Sequence, residues 1–260
     1  MTKDEKLEIE IKRNYQVFKS NELVQKSRYD LSVAEQRAVA YICSLIRPTI
    51  ASPKTNGVPY QLEYDFDIWE YAKVCGLKSD GGMLYKETRA VLERLMLKII
   101  EMELPDGDEI MMAWLVTVKL SKKSGKVKIK LNEDLAPYLF DLQEKFTAFG
   151  LLNILAMKSQ YSIRIYEILK SYAYRKIVTF DLDELKKRLM VDGIKTYEKS
   201  NHFKKRVLEP AIAEINKYTD LNIGYEQITK GRKVVQIKFF IAKKDMLDRL
   251  VSNASANDEI

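Results

Sequence analysis

Residues 195–233 read KTYEKSNHFKKRVLEPAIAEINKYTDLNIGYEQITKGRK, and the rest of the chain is arranged around them. Lys195, Lys199, Lys204, Lys205 and Arg206 place cations around a single acid, Glu198. Phe203, Val207, Ala211 and Ile215 recur every fourth residue and line one face of a helix. At about 100° per residue, His202, Lys205 and Arg206 fall on the opposite face. One side can bury itself while the other meets an anion. Leu221–Ile228, the Lys230-Gly231 turn and Lys233–Ile241 then alternate polar and apolar residues as a β-hairpin does. A basic-faced helix followed by a hairpin tipped with Lys230, Arg232 and Lys233 has the chemistry of a winged helix: the helix enters a DNA groove and the wing holds phosphate.

The 260 residues, 46% of them hydrophobic, are enough for two cored domains. The longest apolar runs, 110–118 and 149–157, are far short of the ~20 residues a membrane helix needs. Residues 1–19 are a charged mixture without a signal-peptide core, which predicts a cytoplasmic protein with no membrane partner. Cys43 and Cys75 lack metal-ligand spacing and are expected in the core. The net charge of +7 favours nucleic acid as partner, and the placement of that charge says more than its size.

Residues 1–20 are polar and expected to be mobile, with Leu7, Ile9 and Ile11 alternating as an edge strand would. A short amphipathic helix or turn is expected over Asn21–Arg28. Ser32 and Glu35 then form an S-x-x-E capping box for a helix that Pro48 stops, before a loop over 50–59. From residue 60 a pattern begins that returns later. Phe66–Lys73 and Phe180–Lys187 share F-D-[IL]-x-E-x-x-K, 114 residues apart, and Val91-Leu92-Glu93 and Val207-Leu208-Glu209 match at a spacing of 116. Each copy reads as strand, short helix, turn, longer helix and hairpin, so one unit is used twice. In the first copy the longer helix is Met83–Leu97, and strands are expected over Ile99–Leu104, Ile110–Lys119 and Lys126–Leu131, with turns at Pro105-Asp106-Gly107 and Ser124-Gly125. Between Lys119 and Lys130 there are six lysines and no acid. Lys122, Lys123 and Lys126 are therefore candidate phosphate contacts.

The expected fold class is α+β: two tandem winged-helix domains related as an internal repeat. The boundaries are 1–20, a mobile segment; 21–131, the first domain; 132–158, a connection; 159–244, the second domain; and 245–260, a frayed tail. The connection holds a short helix over Asp134–Leu142, expected to be interrupted near Pro137, and the apolar run Phe149–Met157, read as interdomain core. Ser159–Tyr174 forms a helix with Tyr161, Ile165, Ile168, Leu169 and Tyr172 on one face.

Three stretches, Asn21–Val24 leading to Leu31–Arg37, Leu155–Leu169, and Phe203 through Asn216, resemble the Rep_3 family of plasmid replication initiators. The similarity runs from about Asn21 to Ala242. It implies two winged-helix domains, the second reading directly repeated origin sites (iterons) in double-stranded DNA. It also implies a monomer that promotes origin opening and recruits host replication initiator and helicase proteins, and a homodimer, joined through the first domain, that represses its own gene. One departure is Pro210, which removes an amide donor inside the recognition helix and predicts a kink.

Position and family likeness together nominate Lys199, Asn201, His202 and Lys205 as base readers. Lysine suits guanine O6 and N7, and asparagine suits adenine. Lys204, Arg206, Lys230, Arg232 and Lys233 suit phosphate. A single histidine excludes the paired histidines of metal-dependent nicking enzymes, and Ser124-Gly125-Lys126 lacks the rest of a Walker loop. The chain is expected to act by binding, with no cofactor, no metal and no catalysis. Two other readings remain at this point: a DNA-binding transcriptional regulator, and a metal-dependent nuclease using Asp65, Asp67, Glu70, Asp181, Asp183 and Glu184. Helix starts favour such acids electrostatically without any metal.

Overall fold

The structure is a computed structural model that describes residues 2–46, 60–104, 106–142 and 145–260. The expected stop at Pro48, the loop at 50–59 and Pro105 of the first turn lie outside the described residues.

The chain opens with helix α1 (Lys3–Arg13), where Thr2 accepts from Glu5 N while the Glu5 carboxylate accepts from Thr2 N. Residues 2–20, whose polarity led to the expectation of a mobile segment, are a capped helix followed by a strand. The T-x-x-E box starts a helix where Leu7, Ile9 and Ile11 suggested a strand, and the strand, β1 (Gln16–Ser20), comes after it. β1 runs directly into α2 (Asn21–Lys26), which Ser20 caps, and then into β2 (Ser27–Arg28). Ser32 and Glu35 form the expected box at the head of α3 (Val33–Leu45). The first copy of the repeat follows as β3 (Glu63–Asp67), α4 (Ile68–Cys75) and α5 (Gly81–Leu97). Next come β4 (Ile99–Glu103), β5 (Glu109–Ala113), β6 (Leu115–Leu120) and β7 (Lys126–Leu131). The single strand expected over Ile110–Lys119 is two, broken at Trp114, whose buried ring meets Tyr29 edge-on at 5.4 Å. The break sends the chain from one sheet, β2-β4-β5, into another, β3-β7-β6.

After a 3-10 turn, α6 (Ala136–Leu139) carries Pro137 in its first turn, where a missing N–H goes unnoticed. β8 (Phe146–Gly150) and α7 (Leu151–Leu155) lead to α8 (Gln160–Ser171). The second copy is β9 (Ile177–Asp181), α9 (Leu182–Arg188), the broken helix α10 (Lys195–Glu198), α11 (Ser200–Phe203) and α12 (Glu209–Tyr218), then the hairpin β10 (Leu221–Lys230) and β11 (Lys233–Lys243). The chain ends in α13 (Met246–Glu259).

The repeat is topological. β3 pairs antiparallel with β7, the far strand of its hairpin, and β9 pairs with β11 in the same way, giving strand orders β3-β7-β6 and β9-β11-β10. The matched phenylalanines are both buried in these pairings, Phe66 opposite Val127 and Phe180 opposite Ile237. Each matched aspartate caps the next helix: Asp67 Oδ1 accepts from Trp69 N at 2.8 Å, and Asp181 Oδ1 from Asp183 N at 2.9 Å. Two winged-helix units built on one plan are the architecture that the F-D pattern predicts.

The copies also share an opening that the sequence pattern does not reveal. β1 pairs antiparallel with β8, Phe18 opposite Ala148, and each strand runs at once into a short helix. Those helices are exchanged: α2 packs against α8, and α7 packs against α3. Phe149, Leu151, Leu152, Ile154 and Leu155 are all buried there. A buried polar cluster closes the junction. Lys19 of β1 meets the Glu167 carboxylate of α8 at 2.6 Å, and the Tyr29 hydroxyl donates to the other Glu167 oxygen at 3.0 Å. Arg164 donates to Tyr29 at 3.0 Å and to the Ser27 carbonyl at 2.6 Å. Burial opposes the Lys19 charge, but Glu167 together with Tyr29 and Cys43 outweighs it and holds the ammonium above its ordinary pKa; burial pushes the Tyr29 hydroxyl up to about 12.

The tail beyond Asp248 is helical. Asp245 caps α13 by accepting from Asp248 N, and the small residues Ser252 and Ala256 face the body while Met246, Leu247, Leu250 and Val251 stand outward. That inverted pattern hides the helix from a search for inward apolar periodicity. Lys244 donates to Ser252 at 2.8 Å, Tyr218 donates to Glu259 at 2.9 Å, and Lys158 pairs with Glu259. Cys43 and Cys75 are buried and unbridged, and burial pushes their thiols up to about 11 and about 12. Among the described residues no helix is long and apolar enough to cross a membrane.

Candidate nucleic-acid interface

In the second copy, Asp181 fixes the start of α9, and α9 supports the helix that follows α10. Lys186 of α9 is buried, its ammonium 3.4 Å from the Glu198 carbonyl and 5.8 Å above the Phe203 ring. It is a cation that carries structure beneath the exposed face, and the basic run around it gave no sign of that role. The helix expected to run unbroken from Lys195 is interrupted at Lys199, whose backbone is extended and whose carbonyl accepts from His202 N at 3.0 Å. Lys199 thereby becomes the residue before α11 rather than a member of a continuous helix.

Pro210 is accommodated by widening the helix. Lys204–Leu208 form a π turn, with Glu209 N donating to the Lys204 carbonyl five residues back. The wider turn removes the clash that a proline ring would make in a regular α-helix, so the expected kink takes the form of a bulge. The apolar stripe is where its spacing put it: Phe203, Val207, Ala211 and Ile215 are all buried, joined by Leu208. Lys199, Asn201, Lys205 and Arg206 are exposed and His202 and Lys204 half-buried. Lys204 lies 3.6 Å from Glu209, so part of its charge is met within the chain.

The wing begins beside this face. β10 and β11 pair from Leu221–Lys243 to Lys230–Lys233, with a bulge that leaves Val235 unmatched and sharpens the twist near the tip. Gly231 at φ +62 makes the turn. Lys230 sits directly opposite Lys233, with exposed Arg232 between them. Like charges paired across a hairpin destabilise it unless an anion sits between.

In the first copy, Lys122 and Lys123 are exposed at the corresponding tip, Lys126 lies 3.8 Å from Asp67, and Lys128 pairs with Glu63 at 2.6 Å. The lysine run is thus free at its turn and partly neutralised along β7. Between this turn, the start of α4 and the first turns of α5 lies a groove of about 600 Å³. Trp69, Tyr85, Lys86, Arg89, Lys122 and Lys123 line it. Tyr85, Lys86 and Arg89 share one face of α5, and the i, i+4 spacing of 85 and 89 would have located that face in the sequence. Four of the six acids considered for a metal have other work: Asp67 and Asp181 cap helices, Glu70 accepts from Tyr41 and pairs with Lys12 at 2.8 Å, and Glu184 pairs with Arg188 at 2.9 Å.

Comparison with known proteins agrees with this geometry. The family model described as Initiator Replication protein, WH1, matches residues 16–170, and that described as Initiator Rep protein, WH2, matches 181–241. A replication initiation protein of Escherichia coli is 30% identical over 241 residues, spanning 89% of this chain and 71% of that protein. The PI protein of Escherichia coli is 30% identical over 145 residues, 49% of this chain and 48% of its own. The crystal structure of the Pi initiator protein in complex with iteron DNA superposes with a TM-score of 0.69 at 23% identity, covering 90% of this chain and 99% of the other. With two winged-helix units in tandem, each matched by its own domain model, the chain belongs to the Rep3 family of replication initiator proteins.

Proposed function

We propose that this chain is a plasmid replication initiator that binds directly repeated origin sites in duplex DNA, opens the neighbouring duplex and acts without catalysis in the cytoplasm. The observation that carries this is the second copy's exposed edge, where Asn201 and Lys205 project from a helix whose other side is buried, next to a wing tip of three cations. Asn201, His202, Lys205 and the flanking Lys199 read bases, and Lys204, Arg206, Lys230, Arg232 and Lys233 hold phosphates. Lys122, Lys123 and Lys126 contact a phosphate backbone from the first copy. Residues 159–244 are the reading domain and 21–131 the dimerising one. Support for the second role comes from β5, an edge strand with unpaired backbone groups and exposed Met111, in a hairpin whose five acids and absence of cations over 99–118 would turn it away from DNA. Host replication proteins then load on the opened segment, and the dimer represses the gene.

Titration of cognate and scrambled duplexes tests the reading. Lys205→Ala costs about 1–3 kcal/mol on the cognate site and relaxes preference at one base pair, while Lys233→Ala weakens both duplexes alike and flattens the salt dependence. Equal losses on both duplexes for Lys205→Ala would remove it from the base-reading set. A plasmid carrying the origin but lacking this gene is expected to be lost, which a regulator alone would not require.

A further inference from the structure

The two copies also differ in the lining of the groove between short helix, long helix and wing. In the second copy it is lined by Asp183, Asp192 and Glu198 beside Lys186, Lys187 and Lys233, a mixed set that repels phosphate as readily as it attracts it. In the first copy the lining holds four cations, two aromatic rings and no acid. Trp69 stands at the repeat position that Asp183 occupies in the second copy. Trp69 is 47% exposed on the groove wall, against the wing turn, where a Cβ at Gly125 would touch its ring at 3.5 Å. The Arg89 Nε is held by Glu93 at 2.8 Å, leaving the guanidinium ends for another acceptor.

We propose that this first-copy groove binds an unpaired DNA strand, with Lys86, Arg89, Lys122 and Lys123 on its phosphates and a base stacked on Trp69, Tyr85 flanking it. The proposal rests on the reading of the chain as an origin-opening initiator and names what the first copy holds once the duplex is open. A paired duplex offers its backbone and its base edges, while its base faces are covered by their neighbours. A half-exposed tryptophan beside a line of cations suits a strand whose base faces are free, and such stacking is indifferent to sequence.

The chain has two tryptophans, and Trp114 is buried, so changes in emission on binding report Trp69. The test titrates the full chain with oligothymidylate and, separately, with a blunt duplex carrying the origin repeats. Oligothymidylate is expected to quench the emission. Trp69→Ala is expected to weaken oligothymidylate binding on the order of tenfold, while Trp69→Tyr keeps most of it and duplex affinity is unchanged. Absence of quenching in the unaltered protein overturns the proposal, and so does an equal loss on the duplex, which would place Trp69 against paired backbone. Failure of the initiator reading is a separate result: no preference for repeat-bearing over scrambled duplex, whatever the single strand does.

Discussion

The two winged-helix copies share a frame and differ in what is hung on it. β3-α4-α5 and β9 through α12 start from the same buried phenylalanine and the same capping aspartate, and each closes its sheet by pairing the first strand with the last. The first copy then inserts an acidic hairpin, β4–β5, and keeps a regular 17-residue helix. The second has no insertion, breaks its helix at Lys199 and widens it at Lys204–Leu208. The frame comes from residues that face inward, and the DNA chemistry comes from residues that the frame leaves free. One plan can therefore carry an acidic hairpin on one copy and a basic face on the other.

The junction is where the comparison breaks with the largest effect. Glu167 is the sole acid among Lys19, Arg164 and Tyr29, all buried. Glu167→Ala leaves two buried cations without a counter-charge and is expected to cost about 3–5 kcal/mol in urea unfolding. The double variant Lys19→Met with Glu167→Leu removes a charge of each sign and is expected to recover a large part of that. If Glu167→Ala left the urea midpoint unmoved, the cluster would not join the copies.

Alkaline pH separates the copies next, because both cysteines lie in the first. Cys43 and Cys75 ionise near 9 when unfolded and near 11 and 12 when folded, and Tyr29 rises in the same direction. The folded chain thus holds more protons than the unfolded chain above pH 9, so stability is full below that value and falls as pH rises toward 12. Each group contributes a slope of about 1.4 kcal/mol per pH unit once its unfolded form has ionised. Urea midpoints at pH 8 and 10.5 measure the drop, and Cys43→Ala with Cys75→Ala is expected to shrink the pH-dependent part.

Much of the frame was legible because it is local. F-D-[IL]-x-E-x-x-K encodes a buried strand end, a cap and a helix, and Ser32-x-x-Glu35 encodes another helix start; both work through neighbours within a few residues. The pairing of β1 with β8 was not legible, since it joins Gln16 to Gly150 and has no shared motif. α1 had a signal that outranked its misleading alternation, the box Thr2-x-x-Glu5. At the interface the apolar stripe correctly assigned which side of residues 203–215 is buried, but sequence alone could not foresee the π turn that resets the helical phase after Lys204. The groove around Trp69 was hidden for a third reason: its walls come from three elements separated by turns, and spacing along one helix shows only one wall.

The caps offer the smallest and sharpest comparison. Asp67 and Asp181 each accept from two first-turn amides, at 2.8 and 3.3 Å for Asp67 and 2.9 and 3.3 Å for Asp181. If the copies are the same physical object at this point, Asp67→Ala and Asp181→Ala should each cost about 1 kcal/mol of stability, and the two costs should add, since the sites share no partner. Asp67 has one further contact, Lys126 at 3.8 Å, exposed enough to add only a few tenths of a kcal/mol, and that excess should vanish in high salt. Asp→Asn at either position should retain most of the cap, because the amide oxygen accepts the same bonds. A cost several-fold larger in one copy, persisting in high salt, would mean that the shared motif performs a task there beyond starting a helix.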